Sequence, residues 1–409
     1  MKQLRPCTIV GGKLVTSGGL VDGCVRLVDG RIDTVGAEVR DGDEVIDVDG
    51  KLVGPGLVDL GVFAVDKPAF HFGGITRAAL MPDQSPALDL PSRVSYISKS
   101  GKPDFWVHPL AAATRGLEGR EIAELALMRE AGARGVATGR QWIADSGVML
   151  RLLQYAAMLD MVVIAHAEDA ALVGQAVATA GEFATRRGLP SAPAQAEAIA
   201  LMRDVALAEM AGARIHFRQV TTRAGLDIIR HAKARGVGVT CGVTPAHFML
   251  SDLATVDFRT FSRLSPPLRS EDDRQVVREA IADGTVDVIA SGHDPRGPED
   301  KRLPFSDAEP GMAGAETLLA MTLSLVRDEV IDMCRAFELV AAKPAEILGV
   351  EAGRVSEGFE ADIAVIDPDK PWVIQSARME ATAGNTPFDG QPTQGRVTGL
   401  YKGGFRIDS

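Results

Sequence analysis

The sequence predicts an α/β fold: a (β/α)8, TIM-like barrel with a small composite β-sandwich domain contributed by both termini. Three observations carry this prediction. From about residue 56 to residue 345, short apolar strands ending in polar residues alternate with amphipathic helical runs. The two chain ends share a different pattern of short alternating strands and turns. Of the 409 residues 46% are hydrophobic and 24% charged, enough apolar material for a large core and too much for global disorder. A barrel of about 250 residues with an accessory domain uses this length, as would two or three separate domains.

The first 55 residues read as strands in CTIVGG, KLVTSGG, VRLVDGRI, DTVG and EVIDVDGKLV. Gly11-Gly12, Gly18-Gly19, Asp29-Gly30 and Asp49-Gly50 supply the turns between them. Residues 346–409 return to the same pattern in GRVSEGFEADIAVIDPD, KPWVIQS and GRVTGLYKGGFRI. Residues 1–55 and 346–409 are therefore predicted to meet in one domain, with 56–345 inserted as the barrel.

Within the insertion, strands are expected at 133–138, 161–169, 213–222, 236–245 and 286–294. Helical runs such as AQAEAIALMRDVALAEMAG and EDDRQVVREAIADG lie between them and close at Gly. Strands alternating with helices of about a dozen residues imply parallel βαβ units. Their repetition favours a barrel over an open doubly wound sheet, and no G-x-G-x-x-G or Walker A follows any strand. No repeat of about 20 to 50 residues is present.

Composition excludes some functions. With 44 Lys and Arg against 55 Asp and Glu the net charge is −11, which argues against nucleic acid or an anionic membrane surface as a partner. The N-terminus has no signal-peptide run, and the apolar stretch before His166, Glu168 and Asp169 is far shorter than the about 18 residues of a membrane span. A cytoplasmic protein is expected. Cys7, Cys24, Cys241 and Cys334 are widely separated and read as reduced core residues.

In a barrel, chemistry sits at the C-terminal ends of the strands. Those ends offer Gly61 to Val65, Gly139, His166 to Asp169, Arg218 and Gln219, Ala246 and His247, and Gly292 to Asp294. The segments PGLVDL (55–60), MPDQ (81–84), AHAED (165–169), RIHFRQVTT (214–222), SPPLRSEDDR (265–274), DGTVDVIASGHDP (283–295), GFEADIAVIDPD (358–369) and NTPFDGQPTQGRV (385–397) stand in a characteristic order. Together they resemble the dihydroorotase and dihydropyrimidinase branch of the amidohydrolase superfamily. PPLR and NTPF point toward dihydroorotase.

The resemblance implies one or two zinc ions, held by an H-x-H pair, a bridging acid, two further histidines and an aspartate. The metal would supply hydroxide near neutral pH and the aspartate would move the proton. In this sequence the H-x-H positions are Gly61 and Phe63, the bridging acid is Gly139, one lone histidine is Gln219 and the aspartate is Gly292. His166 alone stands at a ligand position. One imidazole cannot hold a catalytic zinc, which takes three protein ligands and water. No metal, cofactor or catalytic residue is therefore expected. The family's substrate-binding arginine and two asparagines correspond to Val65, Asp83 and Ser265, and the segment from Ala64 to Ala79 reads as a shortened loop.

Other residues have plainer explanations. His293 and Asp294 could form a dyad and, with His166 and His247, a rearranged metal site, but ligands left by decay seldom keep competent spacing. His216 is expected to be buried and bonded to nearby backbone, and His71 and His108 to be solvated in loops. Glu168 and Asp169 are expected to cap a helix. Ser291, Thr221 and Thr222 lack the G-x-S-x-G context of a serine hydrolase. Trp106 and Trp142 read as core or interface filling rather than ligand platforms at the barrel mouth.

These readings predict a dihydroorotase-like pseudoenzyme of pyrimidine biosynthesis. Some homologues of this kind partner aspartate carbamoyltransferase, so the resemblance implies a scaffold role in a homo- or hetero-oligomer. The alternative is an active cyclic-amide hydrolase with zinc in a site rebuilt around His166, His247, His293 and Asp294. A third reading, a small-molecule-binding module, is disfavoured by the missing arginine and asparagine anchors.

Overall fold

The computed structural model describes residues 6–36 and 39–407. β1 (Cys7–Thr16), β2 (Gly19–Val28), β3 (Arg31–Val35), β4 (Glu44–Asp47) and β5 (Leu52–Pro55) share one sheet with β16 (Ile363–Val373), β17 (Pro392–Lys402) and β18 (Phe405–Ile407). The order is β18-β17-β16-β5-β1-β2-β3, with β4 paired to β1. The two chain ends join where β5 and β16 run antiparallel, Leu52 opposite Ile366 and Pro55 opposite Ile363. Alternate residues such as Cys7 and Ile9, Val25 and Leu27, and Ile363 and Val365 form its core, as period-two patterning requires.

The barrel strands are β6 (Leu57–Val62), β7 (Ile75–Leu80), β8 (Trp106–Ala112), β9 (Gly135–Ala137), β10 (Val163–Ala165), β13 (Ile215–Phe217), β14 (Val239–Val243) and β15 (Val288–Ile289). All are parallel and adjacent in chain order. The short pair β11 (Ala178–Thr179) and β12 (Ser191–Ala192) intervenes between β10 and β13. The ring closes between β15 and β6 at its C-terminal end. There the Phe63 N–H donates to the His293 carbonyl at 2.9 Å, and the Ser291 N–H donates to Asp59 Oδ1 at 2.9 Å.

Val58, Leu60, Ala79, Leu110, Ala137, Ile164 and Val288 fill the barrel interior, and Ala345 and Leu348 join the same cluster. The alternate strand residues pack outward against the helices. Thr222, which follows β13, caps the helix Arg223–Ala234 by accepting from the Gly225 N–H. The helix Lys343–Leu348 runs across the boundary placed at residue 345, so barrel and sheet domain are joined without a linker there.

The base of the barrel meets the sheet domain through charge. Arg77 on β7 is 1% exposed and donates Nε to Asp362 at 2.8 Å, with a second contact to Glu360. Lys402 donates to the same two carboxylates at 2.9 and 3.1 Å. Trp106, the first residue of β8, lies under Arg77, Lys102 and Lys402 at 4.4, 4.7 and 4.1 Å from its ring centroid. It is thus at the base and not at the mouth.

Two histidines depart from expectation. His108 is buried on β8, where burial and then the charge of Arg77 lower its pKa to about 3. His71 lies half-buried on the helix Lys67–Gly73. Only Phe63 to Asp66 separate β6 from that helix. Cys7 and Cys241 are buried, whereas Cys24 and Cys334 are only partly so, which corrects the expectation that all four sit in the core. Among the described residues no helix is long and apolar enough to cross a membrane.

Candidate functional site

A cavity of about 240 Å³ opens at the C-terminal ends of the barrel strands. Of the residues singled out from sequence, Phe63, Arg218, Gln219, His247, Ser265, Gly292 and Asp294 line it, joined by Arg140. Gly61, Gly139, His166 and His293 are not part of its lining. Strands β6, β9, β13, β14 and β15 deliver these residues where their ladders end, so Phe63 and Asp294, 231 positions apart in sequence, meet at one mouth.

The positions that would carry metal ligands in the family are closed by neighbours. Gly61 has φ +103°, and a Cβ built there would stand 3.2 Å from Arg218 Cδ. Gly292 has φ +61°, and a Cβ there would meet Thr244 Cγ2 at 2.9 Å. Both glycines adopt backbone that side-chain-bearing residues rarely enter. A Cβ at Gly139 would meet Asp83 Oδ1 at 2.8 Å, and that oxygen accepts the Arg140 N–H at 2.9 Å. The Phe63 ring lies under two guanidinium groups, Arg140 at 3.8 Å and Arg218 at 4.9 Å.

Each remaining histidine is committed elsewhere. His247 accepts at Nδ1 from the Thr244 hydroxyl at 2.8 Å and donates Nε2–H to the Pro266 carbonyl at 3.1 Å. Burial, then the charge of Arg269, lowers its pKa to about 4 and keeps it neutral. His166 has Nδ1 at 3.4 Å from the Arg218 guanidinium and Nε2 at 3.5 Å from Glu168. His293 is fully buried, accepts the Ala315 N–H at 3.3 Å and points Nε2 toward Asp66 at 3.7 Å.

Asp294 turns the other way and binds Arg140 through both oxygens, at 2.5 and 3.0 Å, with Arg296 at 3.2 Å. The His293–Asp294 dyad is therefore not formed, because adjacent residues at this strand end face different partners. Among the described residues no three His, Cys, Asp or Glu side chains come together in a way that could hold a metal ion. The residues at the mouth do not fit a zinc centre. Their imidazole nitrogens face other groups, and two guanidinium cations occupy the ground beside Gly61 and Phe63.

Behind the mouth lies a polar layer that sequence reading missed. Arg269 of the PPLR segment is buried and donates to Glu168 at 2.8 Å, Thr221 Oγ1 at 2.9 Å and Thr179 Oγ1 at 3.1 Å. Glu197 accepts the backbone N–H and hydroxyl groups of both Thr221 and Thr222, at 2.6 to 3.0 Å. Burial alone would raise the Glu168 pKa, but the charges of Arg269 and His166 bring it down to about 2. Glu168 is thus a buried ion-pair member and not a helix cap. Asp169 does cap, accepting from Ala171 and Leu172 N–H at 2.9 and 3.2 Å.

His216 is buried as expected, though its partner is the Thr240 hydroxyl at 2.9 Å and not backbone. Ser291 Oγ accepts the His293 N–H at 3.0 Å. Trp142 donates its indole N–H to Asp204 at 3.0 Å under the Arg203 guanidinium, so it is held by its neighbours and is not part of the cavity lining. Val65, at the family's arginine position, is 39% exposed. The sequence places Arg218 among the strand-end residues and offers Arg140 only as a charge two residues past the strand expected at 133–138.

Comparison with known proteins gives a consistent result. Residues 50–224 match the family model described as Dihydro-orotase-like. A dihydroorotase from Pelotomaculum thermopropionicum is 40% identical over 414 residues, covering 97% of this chain and 97% of that protein. A dihydroorotase from a Geobacter species is 36% identical, covering 95% of this chain and 96% of that one. Among solved structures, the L-hydantoinase of Arthrobacter aurescens superposes with a TM-score of 0.89 at 24% identity, covering 99% of this chain and 96% of that chain. The dihydropyrimidinase of Brevibacillus agri gives 0.86 at 20%, covering 98% and 95%. The last two are likenesses of fold.

Proposed function

Because the chain belongs to the dihydroorotase-like family, we propose that it serves pyrimidine biosynthesis without metal-dependent hydrolysis, as a structural partner of aspartate carbamoyltransferase. One observation carries the loss of hydrolysis. Arg218 packs against Gly61, where the family pattern asks for a metal-binding histidine, and the other ligand positions are Phe63, Gln219 and Gly292. Without three N or O donors in one place, no water is acidified to hydroxide near neutral pH. An intact barrel with an altered mouth supports a role for the outer surface, and the partner is the one that the resemblance implies.

Two measurements test this. Reversible dihydroorotate hydrolysis is assayed with added zinc beside an active dihydroorotase, and no turnover is expected. Turnover near the control rate overturns the loss of hydrolysis. The full-length chain, mixed with aspartate carbamoyltransferase at micromolar concentration, is expected to co-elute with it. Separate elution removes the partner.

A further inference from the structure

A second cavity, of about 400 Å³, opens at the opposite end of the barrel, where the strands begin. Its lining carries three guanidinium groups, Arg129, Arg134 and Arg214, against one carboxylate, Asp160. Glu130 and Glu351 are near in sequence but are not part of the lining, and Glu346 is paired with Lys343. In a chain of net charge −11, a cavity with a surplus of positive charge runs against the average.

Strand register brings the arginines together. Val163 of β10 stands opposite Val136 of β9 and Ile215 of β13. Arg134 and Arg214 are the residues just ahead of β9 and β13, so they flank β10 across two strand spacings, about 10 Å. Side chains of arginine length can meet over that gap, above Met161 and Val162. Arg129 enters from the last turn of the helix Leu125–Glu130.

The ordinary role of arginine at this end of a barrel is to cap helix C-termini, and Arg214 alone fills it. Its Nη2 donates to the Asp160 carbonyl and Oδ1 at 2.9 and 2.7 Å, and among the described residues its other nitrogens have no protein partner. The helix end beside Arg129 and Arg134 is closed by main chain instead. The Gly132 N–H donates to the Arg129 carbonyl and the Ala133 N–H to the Met128 carbonyl, each at 3.0 Å. Gly349 and Val350 close the helix Lys343–Leu348 in the same way, on the Glu346 and Ala345 carbonyls at 3.1 and 3.0 Å. Among the described residues, the guanidinium groups of Arg129 and Arg134 make no hydrogen bond or ion pair within the protein.

We propose that this cavity at the base of the barrel binds a phosphate group as its dianion, free or esterified to a small apolar body. Arg134 and Arg214 receive the phosphate oxygens from either side of β10, and Arg129 closes the rim. Guanidinium forks suit phosphate oxygens, and a dianion answers both surplus charges where a carboxylate answers one. Met161, Ile347 and Leu348 line the cavity and offer an ester's apolar body a surface. A ligand held there fastens the starts of β9, β10 and β13 to the helix Lys343–Leu348, which leads toward the sheet domain.

Thermal unfolding of the full-length chain is followed at about pH 8, where a phosphate monoester is a dianion, with phenyl phosphate, inorganic phosphate and benzoate at matched ionic strength. Phosphate also stabilises proteins by exclusion from their surface, so each shift is read as the difference between the parent and Arg134→Gln. Phenyl phosphate is expected to raise the parent Tm saturably, with benzoate at least about tenfold weaker. Arg134→Gln and Arg129→Gln should each raise the half-saturating concentration at least about tenfold and keep the ligand-free Tm of the parent, since neither side chain has a bond to lose. Arg120→Gln, at an exposed arginine outside the cavity, should bind as the parent does. Half-saturation at a lower concentration of phenyl phosphate than of inorganic phosphate supports an ester as the ligand, and equal values support free phosphate on the same arginines. No saturable shift, equal shifts in the parent and in both cavity variants, or benzoate as effective as phenyl phosphate would each overturn the proposal. Turnover of dihydroorotate or loss of the partner leaves this site standing, because it lies at the other end of the barrel.

Discussion

At Gly61 the backbone φ of +103° and the Arg218 side chain 3.2 Å from a would-be Cβ act together against any larger residue. Gly61→His is expected to cost about 1–3 kcal/mol, the usual range for a side chain forced into left-handed backbone beside a close neighbour. Combining it with Arg218→Ala should return part of that loss, with a coupling of at least about 0.5 kcal/mol in a double-mutant cycle of urea unfolding. Strict additivity would mean that the two residues do not meet.

His247 gives a second residue-scale test. Its folded pKa of about 4 lies below the unfolded value of 6.5, so below pH 6.5 the unfolded chain binds a proton that the native state refuses. Stability from this group is complete above pH 6.5 and falls by about 1.4 kcal/mol per pH unit as the pH drops toward 4. His247→Gln should therefore lose less stability than the parent between about pH 7.5 and pH 5 in urea titrations. An unchanged loss would contradict the neutral, doubly bonded imidazole.

At the scale of elements, the junction between β7 and the C-terminal sheet strands concentrates four ionic groups in a buried space. Asp362 is 1% exposed and receives Arg77, Lys402 and the Gly403 N–H at 2.8, 2.9 and 3.0 Å. Asp362→Ala strands two buried cations, with Glu360 as their remaining acid, and is expected to cost about 3–5 kcal/mol. Chemical unfolding followed by tryptophan fluorescence, to which Trp106 beneath the same cations contributes with Trp142 and Trp372, measures it. A loss under about 1 kcal/mol would mean that the junction is solvated enough to screen them.

At the scale of the whole molecule, the barrel strands are joined by main-chain ladders and by the Asp59–Ser291 contact, and the proposed function requires no metal. Tm is therefore expected to be the same after exhaustive chelation and after addition of zinc, measured by calorimetry. A rise with zinc would reveal a bound metal, since binding to the native state alone must raise stability.

Alternation of strand and helix, the paired grammar of the two ends and the presence of Gly61, Phe63, Gln219 and Gly292 where the family resemblance implies metal ligands were all legible in the sequence. Periodicity and residue identity are local properties, and a glycine offers no metal donor in any fold. The partners of the charges were not legible. That Arg218 would lie beside Gly61, that Glu168 would join Arg269 rather than a helix end, and that His293 would turn from Asp294 toward Asp66 depended on which strand ends the closed barrel sets side by side. Burial then decided the rest. Once water is excluded, each charge must find a partner across the mouth or remain without one, as Arg218 does, and only the tertiary structure fixes which.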